Sequence, residues 1–243
     1  MKIVIPVSSH DEGLIDDFCD IMKFFAPYKN HELLIVARPS DVGFASKIFD
    51  KLNNLFSEAQ IHVFDKNGTY GWPQGPNHYW KETIKYLEIT DNKSPWLWME
   101  LDCTPIKKNW IDLLEEEYQK NKSKCLGMIQ DFIFGQIPTS HLVGVAIYPP
   151  DFNIICNSWK NLDDDSLAFD VYCQDEIMPI SVNSKLMQHN FRTYNYTNIN
   201  KNISGEIKEV RNNKYNFHRA IEDDVVLVHG CDDGSLARII MNL

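Results

Sequence analysis

The sequence predicts a layered α/β fold in a single domain, and two observations predict it. Short apolar, β-branched runs alternate with stretches whose apolar residues recur at helical spacing, the rhythm of parallel strands joined by crossover helices. A chain of 243 residues with 44% hydrophobic content also has enough apolar material for one substantial core.

The elements follow in order. Lys2 to Val7 is a β-branched run ended by Ser8-Ser9, a buried strand leaving its sheet at a polar loop. Asp11 is placed to cap a helix in which Leu14, Phe18, Ile21, Phe24 and Phe25 share one face. "ELLIVARP" reads as a second buried strand, "DVGFASKIFDKLNNLF" as a second helix and "IHVFD" as a third strand. "NGTYGWPQGPN" is punctuated by Gly and Pro and reads as a loop before the helix "HYWKETIKYLEIT". "PWLWMELD" is a strand, and Trp110, Leu113, Leu114 and Tyr118 form the apolar stripe of the helix after it. Further on, "CLGMIQ", "HLVGVAIYP" and "DDVVLVHG" are strand-like between long polar segments.

Ligands of open α/β sheets gather beyond the carboxyl ends of the strands. That places Ser8 to Glu12, the Tyr70 to Asn77 loop and Glu100 to Asp102 on one rim. Within a strand, Glu100 and Asp102 would project to the same face with Leu101 turned to the core. Two adjacent carboxylates repel unless something positive sits between them, and a hard divalent cation is a natural partner. An ordinary acidic strand end accounts for the same residues.

Four stretches together resemble the GT-A glycosyltransferases, the class with a Rossmann-like sheet and an Asp-x-Asp metal motif at a strand end. They are "IVIPVSSHDEGLIDDF", "GWPQGPNHYWKETI", "PWLWMELDCTPIKKNWIDLLEEEY" and "VLVHG", which occur in the family's order over about two thirds of the chain. The resemblance implies a GT-A mixed sheet flanked by helices, and a sugar transferred from a nucleotide-sugar donor, a UDP-sugar first among them. By its analogy Pro6, Val7, Ser8 and Glu12 line the base and ribose pocket, while Gly75 and Asn77 help hold the nucleotide. Asp102 and His229 would ligate Mn2+ or Mg2+, and Glu100 would hold the ribose, or the metal through water. Asp175 and Glu176 occupy the place of a general base at a helix start, with Asp170 as the fallback. The sequence departs from the family pattern at Glu100, where Asp is usual, and at Ser9-His10, where Asn is common.

By this reading residues 1–110 form the nucleotide-binding half and 111–243 the acceptor half. From Lys185 to Arg219 there are seven Lys or Arg against two acids, so residues 185–219 read as a mobile, partly ordered basic insertion. Its cations suit a diphosphate, an anionic glycan or a DNA backbone, which makes the acceptor a glycan, a small molecule or a hydroxylated DNA base of the kind that phages modify. His141, Gly144 and the aromatic residues Trp72, His78, Tyr79 and Trp80 are further candidates around the donor, with core packing as their bland alternative.

The overall charge of -10 argues against a surface that coats nucleic acid or anionic membrane. Six scattered cysteines without a CxxC pair suggest neither a zinc knuckle nor a disulfide framework. With no signal-like start and no run of about 18 apolar residues, the expected location is the cytoplasm, or a host's cytoplasm for a viral protein. Two other classes fit the same pattern: a catalytically silent nucleotide- or sugar-binding module, and a nucleotidyltransferase. The acidic "IPVSSHDEG" disfavours the second, which would need a Gly-rich loop carrying Lys after the first strand.

Overall fold

The structure is a computed structural model and describes residues 1–68, 70–121, 125–134, 137–163, 166–193, 196–199, 207–209 and 221–242. In chain order the first half comprises β1 (Lys2–Val7), α1 (Ile15–Phe25), β2 (Tyr28–Ala37), α2 (Val42–Leu52), β3 (Phe56–Val63), α3 (Gln74–Ile89), β4 (Trp96–Trp98), β5 (Thr104–Pro105) and α4 (Trp110–Asn121). The second half adds β6 (Cys125–Phe134), β7 (Ile137–Tyr148), the short α5 (Phe152–Ile155), α6 (Phe169–Tyr172) and α7 (Gln174–Ile177), then β8 (Ser181–Asn183), β9 (Met187–Thr193), β10 (Tyr196–Ile199), β11 (Ile207–Glu209), β12 (Leu227–Cys231) and α8 (Ser235–Met241).

Among the described residues the main sheet has seven strands in the order β3-β2-β1-β4-β7-β6-β8. The strands from β3 to β4 are parallel, whereas β7 runs antiparallel to both β4 and β6, so the sheet is mixed. A smaller sheet, β5-β12-β9, begins just after the Glu100–Asp102 segment. Among the described residues no helix is long and apolar enough to cross a membrane.

Alternation along β1 divides the core into two layers. Ile3, Ile5 and Val7 join Leu33, Ile35, Leu97, Phe18, Ile48 and Trp110 on one face of the sheet. Val4 joins Leu34, Val36, Trp96, Trp98 and Trp80 on the other. In this second layer the Trp80 ring stacks on Phe169 at 4.1 Å and meets Tyr148 edge-on at 4.7 Å, with Trp96 and Trp98 each 5.2 Å away. Such pairs add about 0.5–1.5 kcal/mol each beyond burial, and this one fixes Phe169, the residue before Asp170. Tyr79 and Trp80 are core residues, while Trp72 is 78% exposed on the rim loop.

Several expectations need correction. The third helix begins at Gln74, so Gly75 and Asn77 belong to its first turn rather than to the loop. Phe24 and Leu113 are 50% and 37% exposed, because their places on α1 and α4 fall at the edge of the buried stripe. Asp11 does not cap α1: it sits in a 3-10 turn and accepts a 2.7 Å bond from the Ser8 hydroxyl. β4 ends at Trp98, and Glu100 to Asp102 form a turn closed by the Cys103 N–H on the Glu100 carbonyl. The sequence-level argument from strand alternation therefore does not apply to this pair.

Residues 200–206 and 210–220, which carry four of the seven Lys or Arg of the basic segment, lie outside the described residues. The part from Met187 to Thr193 is not an insertion but the strand β9, paired in parallel with β12.

Truncating Trp80 to Ala empties the centre of the second layer. The expected loss is about 3–5 kcal/mol of unfolding free energy, read from denaturant melts, and a loss under about 1 kcal/mol would mean that the aromatic layer does not carry the packing assigned to it.

Candidate active site

Backbone pairing builds the site. After the turn at Glu100–Asp102 the chain enters β5, where Pro105 and Thr104 pair antiparallel with Leu227 and Val228 of β12. Beyond that ladder the Cys231 N–H bonds to the Asp102 carbonyl at 3.1 Å. His229 is thereby carried to the two acids: its Nε2 lies 3.4 Å from Glu100 Oε2 and 3.4 Å from Asp102 Oδ2. The next residue, Gly230, has φ 95°, and the pairing register with β9 shifts between His229 and Cys231. This bulge demands glycine and turns the end of β12 past the acids.

The three side chains offer two oxygens and one nitrogen within 4.8 Å of one another. They keep exposed edges of 38% for Glu100, 20% for Asp102 and 13% for His229. Burial works against the Glu100 carboxylate, but its bond and charge interaction with His229, and the Trp98 indole N–H at 3.2 Å, hold its pKa below the usual range. Burial pushes Asp102 up to about 7, reinforced by Glu100, Asp232 and Asp11 against the pull of His229. Burial would lower His229, yet Asp102 and Glu100 outweigh it and lift the imidazole to about 9. Asp11 is raised as well, by burial first and by Glu100 in addition.

The donor set suits a cation. Asp102 Oδ1 is buried and has no hydrogen-bond partner among the described residues. One imidazole faces several carboxylates, so the cluster has an excess of negative charge that a divalent ion would balance. Carboxylate oxygens with one imidazole nitrogen are donors that Mn2+ accepts readily and Mg2+ tolerates.

The other sequence candidates fall at distinct places. Pro6 and Ser8 are partly exposed at the end of β1 and Glu12 is exposed, but Val7 is wholly buried, with its carbonyl 2.5 Å from the Tyr79 hydroxyl. Asn77 is buried and its amide donates to the Leu167 carbonyl at 2.9 Å, bracing the segment that leads to Asp170. Gly75 is buried in the same helical turn. Glu176 accepts the N–H groups of Asn157 and Ser158, whereas Asp175 is exposed.

Asp170, the fallback, has its pKa raised by burial and further by the Glu100 charge, against the pull of His141, whose Nε2 stands 3.6 Å away. The backbone of Gly144 passes close under Phe169, where an added Cβ would sit 2.7 Å from the ring.

Sequence reasoning missed a second polar group on the rim. Asp41 lies 2.8 Å from the Tyr79 hydroxyl and 3.5 Å from Arg38 Nε, and it accepts the Ser9 N–H at 3.3 Å. The Arg38 guanidinium packs against the rings of Tyr70 and Tyr79, 4.3 Å and 4.7 Å from their centroids. A charged residue directly after a buried strand, followed by Pro-Ser-Asp, was the available signal.

No protein-family model matches the sequence, and no curated protein is similar to it in sequence. Among solved structures, an active-site mutant of LgtC superposes with a TM-score of 0.53 over 95% of this chain and 87% of its own, at 8% identity. The galactosyltransferase LgtC with donor and acceptor sugar analogues gives 0.47 at 9% identity, covering 78% of this chain and 76% of that one. Mouse xyloside xylosyltransferase 1 gives 0.45 at 9% identity, over 78% and 88%. The fold of this chain is the GT-A glycosyltransferase fold.

Two outcomes follow from the geometry. Asp102 ionises near 3.8 in an unfolded chain but only near about 7 here, so the folded state loses stability from this group as pH rises through that window, and the loss is complete above it. Asp102→Asn should therefore raise the melting temperature of chelator-treated protein, by more at about pH 8 than at about pH 5.5; the reverse order would contradict the raised carboxyl. Gly230→Ala should cost about 1–3 kcal/mol in a denaturant melt, since alanine is strained at this φ.

Proposed function

We propose that the protein is a nucleotide-sugar-dependent glycosyltransferase that holds Mn2+ or Mg2+ at Glu100, Asp102 and His229. The observation that carries this reading is their convergence at the rim of a GT-A sheet, with an unpartnered Asp102 oxygen in the group. A nucleoside diphosphate leaves during such a transfer, and a divalent cation supplies Lewis-acid neutralisation of the charge that develops on it.

The chain's own groups divide the remaining tasks. Residues 1–110 bear the donor side: Pro6, Ser8, Glu12 and the backbone at Val7 line the base and ribose, and Arg38 with Tyr70 stiffens the adjoining rim. Gly75 and Asn77 act by bracing the start of α3 rather than by reaching the nucleotide. Residues 111–243 bear the acceptor side, except that His229 crosses to the cation.

An inverting transfer needs a carboxylate to take the acceptor hydroxyl's proton. We assign that base to Asp170 rather than to Asp175 or Glu176, because burial and the Glu100 charge raise the Asp170 pKa and His141 stands 3.6 Å from it, while Glu176 is occupied by backbone amides. The acceptor is a hydroxyl compound, a glycan or small molecule in the first instance. The competing reading, a silent nucleotide- or sugar-binding module, retains the fold without needing the cation.

A thermal-shift panel of UDP, GDP, CDP and TDP sugars, with and without Mn2+ or Mg2+, separates these readings. A stabilisation that needs one nucleotide, a metal and Asp102, and that is lost in Asp102→Ala, is the expected result. A shift indifferent to metal and to Asp102→Ala would favour the binding module, and no shift with any nucleotide would remove the donor site.

Metal affinity should also climb with pH. His229 must release its proton to offer Nε2, so binding measured by calorimetry should tighten up to about 9, the pKa of His229, and weaken more steeply below about 7, where Asp102 is also protonated. A pH-independent affinity would remove His229 from the ligand set.

A further inference from the structure

His189 stands directly beside His229. The two residues are register partners on the parallel strands β9 and β12, so their side chains leave the small sheet on the same face. Their Nδ1 atoms are 2.9 Å apart and their ring centroids 4.4 Å apart, tilted by 41°. His189 is 8% exposed, and both rings border a cavity lined otherwise by Met128, Val143, Val145, Met187, Leu227 and the polar Gln188. The backbone N–H of His189 is directed at the Met128 sulfur, which seats the ring.

A contact of this length between two ring nitrogens holds one proton, so one ring donates and the other accepts. His229 turns Nε2 toward Glu100 and Asp102. An imidazole that offers the Nε2 lone pair to a cation carries its hydrogen on Nδ1, and that hydrogen needs an acceptor. The Met, Val and Leu side chains of the cavity wall provide none and Gln188 Oε1 accepts the Glu222 N–H at 3.0 Å, whereas the His189 Nδ1 lone pair stands 2.9 Å from the His229 Nδ1.

On these grounds, and resting on the cation reading above, we propose that His189 is a positioning residue for the metal site: it accepts the His229 Nδ1–H, and so fixes the tautomer and ring orientation that present Nε2 to the cation. His189 touches neither cation nor donor in this role. Its own ring proton then resides on Nε2, and the pair acts as a relay of orientation from the small sheet to the acids.

Two measurements test this. In uniformly 15N-labelled, metal-free protein, a scalar coupling between the two Nδ1 nuclei, with the directly bonded proton on His229, is expected; a proton bonded to His189 Nδ1, or the absence of the coupling, would overturn the proposal. Titration of Mn2+ followed by electron paramagnetic resonance gives the second reading. His189→Leu, checked for an unchanged fold by circular dichroism, should weaken Mn2+ binding by about 10–100-fold, and His189→Asn, whose amide oxygen can stand near the former Nδ1, should recover most of that loss.

Wild-type affinity in a folded His189→Leu protein would refute this role and leave the metal site standing. If His189→Leu does not fold, His189→Asn decides: near-normal affinity supports the role, and a loss as large as that of His229→Ala sinks it. A wild-type protein that binds no Mn2+ or Mg2+ would instead bring down the cation reading itself, and this inference with it.

Discussion

Leu227 and Val228 pair with Pro105 and Thr104, and this short ladder joins the site's two halves, which lie more than a hundred residues apart in the chain. Its register determines which residue of β12 meets the acids. The bond from the Cys231 N–H to the Asp102 carbonyl continues the contact past the end of the ladder, and Gly230 takes up the bend. A slip of one residue would turn the His229 side chain to the opposite face and leave Glu100 and Asp102 without their imidazole.

Burying carboxylates near one another costs folding free energy, and this protein bears that cost at Glu100 and Asp102. Asp102 is raised, Glu100 is held down and His229 is raised, the pattern of a cluster that uses one imidazolium to offset an excess of negative charge. Such sites usually reflect function rather than stability, since hydrophobic replacements of the same volume would fold at least as well. The surroundings supply the rigidity that the cluster lacks. Trp80, Trp96, Trp98, Tyr148 and Phe169 pack on one another, and the Trp98 indole reaches from that layer to Glu100.

The same packing links the segment that carries Asp170 to α3. Phe169 is gripped between Trp80 and the close backbone of Gly144, so Asp170 is placed by the aromatic layer rather than by its own short helix. Asn77 ties the first turn of α3 to Leu167 and braces the same segment. Asn77, in the first turn of α3, thus serves as a strut to Leu167.

Local sequence determined the alternation of strands and helices in the first half, the strand β1 and the acidic candidates Glu100 and Asp102, while His229 was implied by the resemblance to the GT-A family. The local features are effects of neighbours along the chain: β-branched runs, helical spacing and acids placed after an apolar run. Tertiary structure decided the rest. The acids lie in a turn past β4, the register of β5 and β12 brings His229 to them and that of β9 sets His189 beside His229, and Asp170 stands by His141 while Glu176 accepts backbone amides. Arg38, Asp41 and Tyr70 likewise assemble only when the ends of β1 and β2 meet the loop before α3. None of these relations has a periodic signal, because pairing register and side-chain packing are set by contacts between segments distant in sequence, where the spacing along the chain carries no information about the distance in space.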